Sequence, residues 1–320
     1  MLEQSATLAA AEQQEEPLQR RLSGLPPPVA AYLQAALGGP RAGSQHKIAH
    51  LHLTGHMRFL PSSNAAMPSL GAATDAAAAG AAPSPATRKW HSGKVEAYIS
   101  AQPPSLVCSA TIGLGPLSWV KGFVSLPAQG GGGAWQWKLC SMMRMQDLGG
   151  AGGTPAGLDQ SALAAHLALA PLFPPALLPS QAVHWRAVND TSAEATLSLS
   201  GSEASAVYTF DRLGQIVAAS MSGRSPQAPA AAAATAAGTA GAAQRGAGSV
   251  AVPPGGQRSD AGAAILIYYR RHGRRCGMMV PGEIEAVAGG SRDAGGESFA
   301  HFDVASLSAW ESLEGAPPLS

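Results

Sequence analysis

A strict alternation of apolar and polar residues, repeated along the chain in short segments, constrains its fold more than any other feature. Lys47–Phe59 reads KIAHLHLTGHMRF. Ala49, Leu51, Leu53 and Met57 fall on one side of this segment, and His50, His52, Thr54, His56 and Arg58 on the other. Successive side chains of a β-strand point to opposite faces, so a period of two predicts a strand with one face in a core. The same pattern predicts strands at Trp90–Ser100, Ser105–Ile112, Leu117–Leu126, Trp135–Met145, Val183–Val188, Ala193–Ser200, Ala204–Phe210, Gln215–Met221, Ala264–Arg271, Gly277–Ala288 and Phe299–Val304. Many short strands separated by turns predict a mainly β (α+β) fold. The expected architecture is one open antiparallel half-barrel or strongly curved sheet of roughly eleven strands.

Two segments break the period. Val29, Tyr32, Leu33, Ala36 and Leu37 recur at helical spacing after Pro26-Pro27-Pro28, and Gly38-Gly39-Pro40 follows them. Proline suits the first helical turn and glycine its end, so a helix is expected here. Leu158–Ala170 is the second expected helix, capped by Asp159 or Ser161 and stopped by Pro171, Pro174, Pro175 and Pro179. Asp211-Arg212-Leu213-Gly214 carries the Asp-first, Gly-fourth pattern of a type I turn and predicts a hairpin.

Composition enters through two stretches of nearly pure Ala, Gly, Pro, Ser and Thr, at 61–88 and 222–263. They hold none of the 6 Trp, 5 Tyr and 6 Phe of the 320 residues. Such segments bury too little apolar area to offset their ordering entropy, so both are expected to be disordered inserts. Without them roughly 250 residues remain, the size of one large β domain. The expected organisation is a disordered or weakly helical lead over 1–24, a single domain over 25–304, and a loose tail over 305–320.

Several function classes are disfavoured. A net charge of +1 provides no strong field for nucleic acid. No apolar run reaches 18 residues, so no transmembrane helix is expected. Three cysteines make no disulfide framework and suit a reducing compartment such as the cytoplasm. Glu3, Glu12, Glu15 and Glu16 fit neither a secretory signal nor a transit peptide. G-x-S-x-G, G-x-x-x-x-G-K-[ST], H-E-x-x-H and G-x-G-x-x-G are absent from the sequence.

Five segments together resemble a bacterial family of unknown function related to the LolA-like lipoprotein carriers. They are the opening Leu25-Pro26-Pro27-Pro28-Val29-Ala30-Ala31-Tyr32-Leu33 and the strand Leu53-Thr54-Gly55-His56-Met57-Arg58. Then come Leu172–Pro179 with Val183-His184-Trp185, the turn Phe210-Asp211-Arg212-Leu213-Gly214-Gln215-Ile216, and Tyr269 with Gly273, Pro281 and Glu285. A Trp-containing segment usual before the last of these is replaced here by the second insert. The resemblance implies a curved antiparallel sheet with helices on its concave side, able to hold acyl chains. It implies no catalytic residues.

Trp119, Trp135, Trp137, Met143, Met145 and Trp185 are the candidate lining of a hydrophobic pocket, since large aromatic and thioether side chains adapt to apolar ligands. The alternative is an ordinary core filled by the two helices. The expected function is non-enzymatic binding or carrying of a lipid or other apolar small molecule, with no cofactor. A hydrolase or isomerase using His50, His52 or His56 as base is the enzymatic alternative, and a structural or protein-interaction domain the third. The same three histidines are weak metal candidates, because H-x-H can bind Zn²⁺ but lacks a further ligand nearby in sequence. Cys108, Cys140 and Cys276 show no paired spacing; Cys108 is expected to pack as a small hydrophobe. Asp211 is read as capping its own turn, and Glu283 with Glu285 as a solvated strand face. Arg270, Arg271, Arg274 and Arg275 form a basic run that either tips a solvated hairpin or touches an anionic surface.

Overall fold

Alternation along the chain is realised as an open thirteen-stranded sheet, all of whose paired neighbours run antiparallel, in a computed structural model. The structure describes residues 18–38, 45–58, 89–115, 118–128, 134–139, 143–145, 155–221, 265–288 and 296–312. Both expected inserts, residues 1–17 of the lead and Cys140 lie outside the described residues.

The helices are α1 (Leu18–Leu22), α2 (Pro27–Leu37) and α3 (Pro155–Leu169). The strands are β1 (Ile48–Met57), β2 (His91–Ala101), β3 (Pro104–Gly115), β4 (Ser118–Leu126), β5 (Ala134–Leu139), β6 (Met143–Met145), β7 (Val183–Asn189), β8 (Ser192–Leu199), β9 (Ser202–Phe210), β10 (Ile216–Met221), β11 (Ile265–Arg270), β12 (Gly273–Arg275), β13 (Met278–Val280), β14 (Glu283–Ala288) and β15 (Glu297–Trp310). The strand order in the sheet is β6-β5-β4-β3-β2-β1-β15-β14-β11-β10-β9-β8-β7.

Two meanders therefore meet at the centre, where the first strand pairs with the last. Three corrections to the sequence reading follow. The patterned segment Trp135–Met145 splits into β5 and β6, and β12 with β13 forms a small separate hairpin between β11 and β14, so the strands exceed eleven. The helices number three among the described residues. The tail expected to be loose from 305 stays in strand through Trp310, because β1 needs a partner on its second edge and residues 306–310 supply it, down to Ile48 opposite Trp310.

Local chemistry explains the boundaries. Pro27 and Pro28 occupy the first turn of α2 and Gly38 closes it, its N–H on the Gln34 carbonyl at 2.8 Å. At the β9–β10 hairpin the Asp211 carboxylate accepts from the N–H of Leu213 at 2.9 Å and of Gln215 at 2.8 Å. Gly214 sits there at φ 73, a left-handed conformation that glycine adopts without a Cβ penalty. Asp211 is thus a turn-capping residue, as its sequence context indicates.

The chain crosses from edge strand β6 to edge strand β7 through α3 and two buried 3₁₀ turns, Ala170–Leu172 and Pro174–Leu177. Helix α3 touches β3, β4 and β5 on one arm of the sheet and β8, β9 and β10 on the other. β4 and β9 are eight strand positions apart. Laid flat, that separation is about 38 Å at ~4.8 Å per strand, against a helix about 23 Å long and ~10 Å wide. The sheet must curl around α3 for both contacts to exist. The core lies in that curl: Leu33, Leu51, Ile99, Leu106, Leu163, Leu167, Phe173 and Leu197 are all fully buried there.

Candidate functional site

The interior of the curled sheet is apolar except around the last turn of α3. The buried positions of that helix are Asp159, Ala162, Leu163, His166 and Leu167, and Ala170 continues them into the following turn. Their spacing places them on one face, with His166 among leucines and alanines. The closing carbonyls of a helix have no partner within it. Here two phenols fill that role: Tyr208 of β9 donates to the Leu167 carbonyl and Tyr269 of β11 to the Ala168 carbonyl, each at 2.8 Å. Burial raises the pKa of both well above the usual phenol range, helped by Tyr269 and Tyr32 at Tyr208 and by Tyr32 at Tyr269.

Two buried groups, one on α2 and one on α3, lack partners among the described residues. The Tyr32 hydroxyl of α2 is buried, close enough to Tyr208 and Tyr269 to influence their charge, and bonds to nothing. Neither ring nitrogen of His166 has a hydrogen bond, although the Ser105 backbone lies near the ring. Burial pushes the His166 pKa down to about 4, so the imidazole is neutral near pH 7. Most buried polar groups in folded proteins are satisfied by protein or water, so these two stand out within the core.

Trp185, on β7, borders this region. Its ring lies 5.5 Å from that of Tyr208, and its indole N–H donates to the Leu177 carbonyl at 2.9 Å. That bond ties the proline-rich turn to the sheet.

The other sequence candidates are dispersed. Trp119 is 39% exposed and alternates on β4 with exposed Lys121 and Phe123, while Val120, Gly122 and Val124 are buried. It stands on the face away from the core, which corrects its assignment to the concave side. In backbone register, position 135 stands opposite Val124, 137 opposite Gly122 and 145 opposite 137; position 143 faces 139. These positions of Trp135, Trp137, Met143 and Met145 thus join the sheet beside the strand that α3 touches.

His50, His52 and His56 of β1 also face outward, alternating with the buried Ala49, Leu51 and Leu53. His50 bonds Glu96 through Nε2 at 2.9 Å and stacks on Tyr98 at 4.3 Å. No group of three or more His, Cys, Asp or Glu able to hold a metal exists among the described residues. The buried histidine is His166, absent from the sequence candidates; its signal is a lone polar residue in the apolar run ALAAHLALA, on the face shared by Leu163 and Leu167. Cys108 packs at the core edge, where burial raises its thiol to about 12 and leaves it protonated.

Arg270 and Arg271 of the basic run are ion-paired, and Arg274 and Arg275 bond backbone carbonyls. Arg271 pairs with Glu283 at 2.7 Å and with Asp303, and Arg270 with Glu285 at 3.1 Å. Arg275 donates to the Val304 carbonyl at 2.8 Å and Arg274 to that of Gly277 at 3.2 Å. His301 also bonds Glu283, at 2.7 Å, and this bond together with Arg271 lowers the Glu283 pKa. Glu285 is buried, which corrects its assignment to a solvated face. No described helix is long and apolar enough to cross a membrane.

Comparison with curated proteins gives no match. Among solved structures, the chain is similar to the crystal structure of LolA superfamily protein NE2245 from Nitrosomonas europaea. The two share 6% identity and a TM-score of 0.29, over 88% of this chain and 90% of that one. A sequence family takes in residues 57–259, from the last residue of β1 through the proline-rich turn and the Asp211 hairpin to the second insert. The chain belongs to that family, DUF6920, a family of unknown function.

Proposed function

We propose that the protein binds or carries a lipid or other apolar small molecule inside the curl of its sheet. The observation that carries this reading is the pair of orphaned polar groups, Tyr32 Oη and the His166 ring, set in an otherwise apolar interior. A core that served only for stability gains nothing from them: each unsatisfied buried group costs about 1–3 kcal/mol. A ligand's polar end would satisfy them while its chain lies against leucines. The proposed site centres on the last turn of α3 with Tyr208, Tyr269 and Trp185. It extends to the positions of Trp135, Trp137, Met143 and Met145 on β5 and β6.

The test is to purify the full chain gently and analyse a denatured extract by mass spectrometry. A stoichiometric apolar molecule is expected. An empty protein that also fails to bind an added fluorescent acyl probe overturns the reading.

A further inference from the structure

Resting on the binding reading above, we propose that the interior site selects an uncharged apolar molecule whose polar end donates a hydrogen bond, the chemistry of a long-chain alcohol, and discriminates against a fatty-acid anion.

The groups that surround the last turn of α3 are rich in acceptors. A neutral imidazole offers one N–H and one bare nitrogen. Neither ring nitrogen of His166 has a partner, so its bare nitrogen is a buried acceptor in need of a donor. Tyr208 and Tyr269 have spent their hydrogens on Leu167 and Ala168, so their oxygens also present lone pairs. Tyr32 holds a hydroxyl whose bonding capacity is unused. A ligand hydroxyl can donate to one of these acceptors and accept from Tyr32. A carboxylate can donate nothing.

Charge points the same way. The buried polar side chains among the described residues are Asp159, His166, Ser192 and Glu285; no lysine or arginine is buried among them. An anion carried into the interior would have no compensating charge, and such a group is strongly disfavoured. The closing turn of α3 worsens this, because a helix C-terminus carries partial negative charge. The tyrosine hydrogen bonds soften that field without reversing its sign.

The experiment is equilibrium dialysis of the full chain at pH 7.5 against radiolabelled tetradecan-1-ol and, separately, tetradecanoate. The alcohol is expected to bind at least about tenfold more tightly, the worth of one good buried hydrogen bond. His166→Leu should cut alcohol affinity about tenfold and leave tetradecanoate unchanged. His166→Gln, which keeps a donor and an acceptor, should restore most of the loss. Thermal melting of each variant separates a local loss from unfolding. Tetradecanoate binding as tightly as the alcohol overturns the selectivity and leaves the binding reading standing. Binding of neither ligand overturns the binding reading itself. An equal loss of both ligands in the two variants, with lowered melting, makes His166 a packing residue and overturns the proposal.

Discussion

Tyr208 donates its hydroxyl to the Leu167 carbonyl, a bond of 2.8 Å between β9 and the last turn of α3 across 41 residues of chain. It holds the crossing helix against one arm of the sheet, and Tyr269 repeats the device from β11, one residue further along. Tyr208→Phe keeps the ring and removes only the donor, leaving a buried carbonyl unpaired. We expect a loss of about 1–2 kcal/mol, read by chemical denaturation, and a similar loss for Tyr269→Phe. The double variant should lose less than the sum, because both bonds anchor one helical turn. No change in either single variant would mean that the last turn of α3 does not depend on these phenols.

Stability should also depend on pH through His166. Its folded pKa of about 4 lies below the ordinary 6.5 of an unfolded histidine. Between those values the unfolded chain binds more protons, so stability is full above pH 6.5 and falls as pH drops toward 4. The full effect is about 3 kcal/mol, at about 1.4 kcal/mol per pH unit. His272, half-buried, is shifted the same way, also by burial, and adds a smaller term of the same sign. Glu283 acts at lower pH, its pKa depressed below the ordinary 4.5. Urea melts of the wild type and His166→Leu at pH 7 and pH 5 test this. The variant should show the shallower fall; parallel curves would exclude His166 as its source.

The strands were legible because an exposed face and a buried face impose period two. Which side chains of β1 share a face follows from KIAHLHLTGHM alone; that the histidine face is the outer one, and the register against β2, come only with the fold. The side on which Trp119 lies depends on phase rather than size: Val120 and Val124 define the buried side of β4, and a residue one step out of phase faces away. The end of β15 is not legible locally, because Ser306 and Ser308 carry no strand signal of their own. Their strand state comes from pairing with β1, some 250 residues distant, and no local signal encodes it. The same holds for the interior polar groups: Tyr208 and Tyr269 reach the last turn of α3 only when the sheet has curled, and Tyr32 and His166 each read alone as an ordinary core aromatic or helix residue.

The meeting of first and last strands rests on a close approach at Gly55. A Cβ built there would overlap the His301 carbonyl oxygen and the adjacent Phe302 backbone of β15. The contact is with main chain, so no side chain can swing away. Gly55→Ala should push β1 from β15 and cost more than about 2 kcal/mol, in the range of a core backbone disruption. Gly273→Ala, with nothing near its Cβ, is the control and should stay within ~0.5 kcal/mol. Equal melting of the two variants would mean that the β1–β15 seam tolerates spreading.

Opposite faces of one sheet permit a direct test of where a ligand lies. Trp119 stands among exposed residues on the outer face of β4, whereas position 135 on β5 pairs with buried Val124. If apolar molecules occupy the curl, Trp135→Ala should lose retention of a co-purified ligand while the protein still melts cooperatively. Truncating a large aromatic contact typically costs a binding site more than about 2 kcal/mol, roughly thirtyfold in affinity. Trp119→Ala should retain ligand like the wild type. Loss of retention in Trp119→Ala with retention intact in Trp135→Ala would place the ligand on the outer face and overturn the interior site. Loss in neither, with ligand present in both, would confine the contacts to the α3 turn and its tyrosines, since those are the remaining members of the proposed lining.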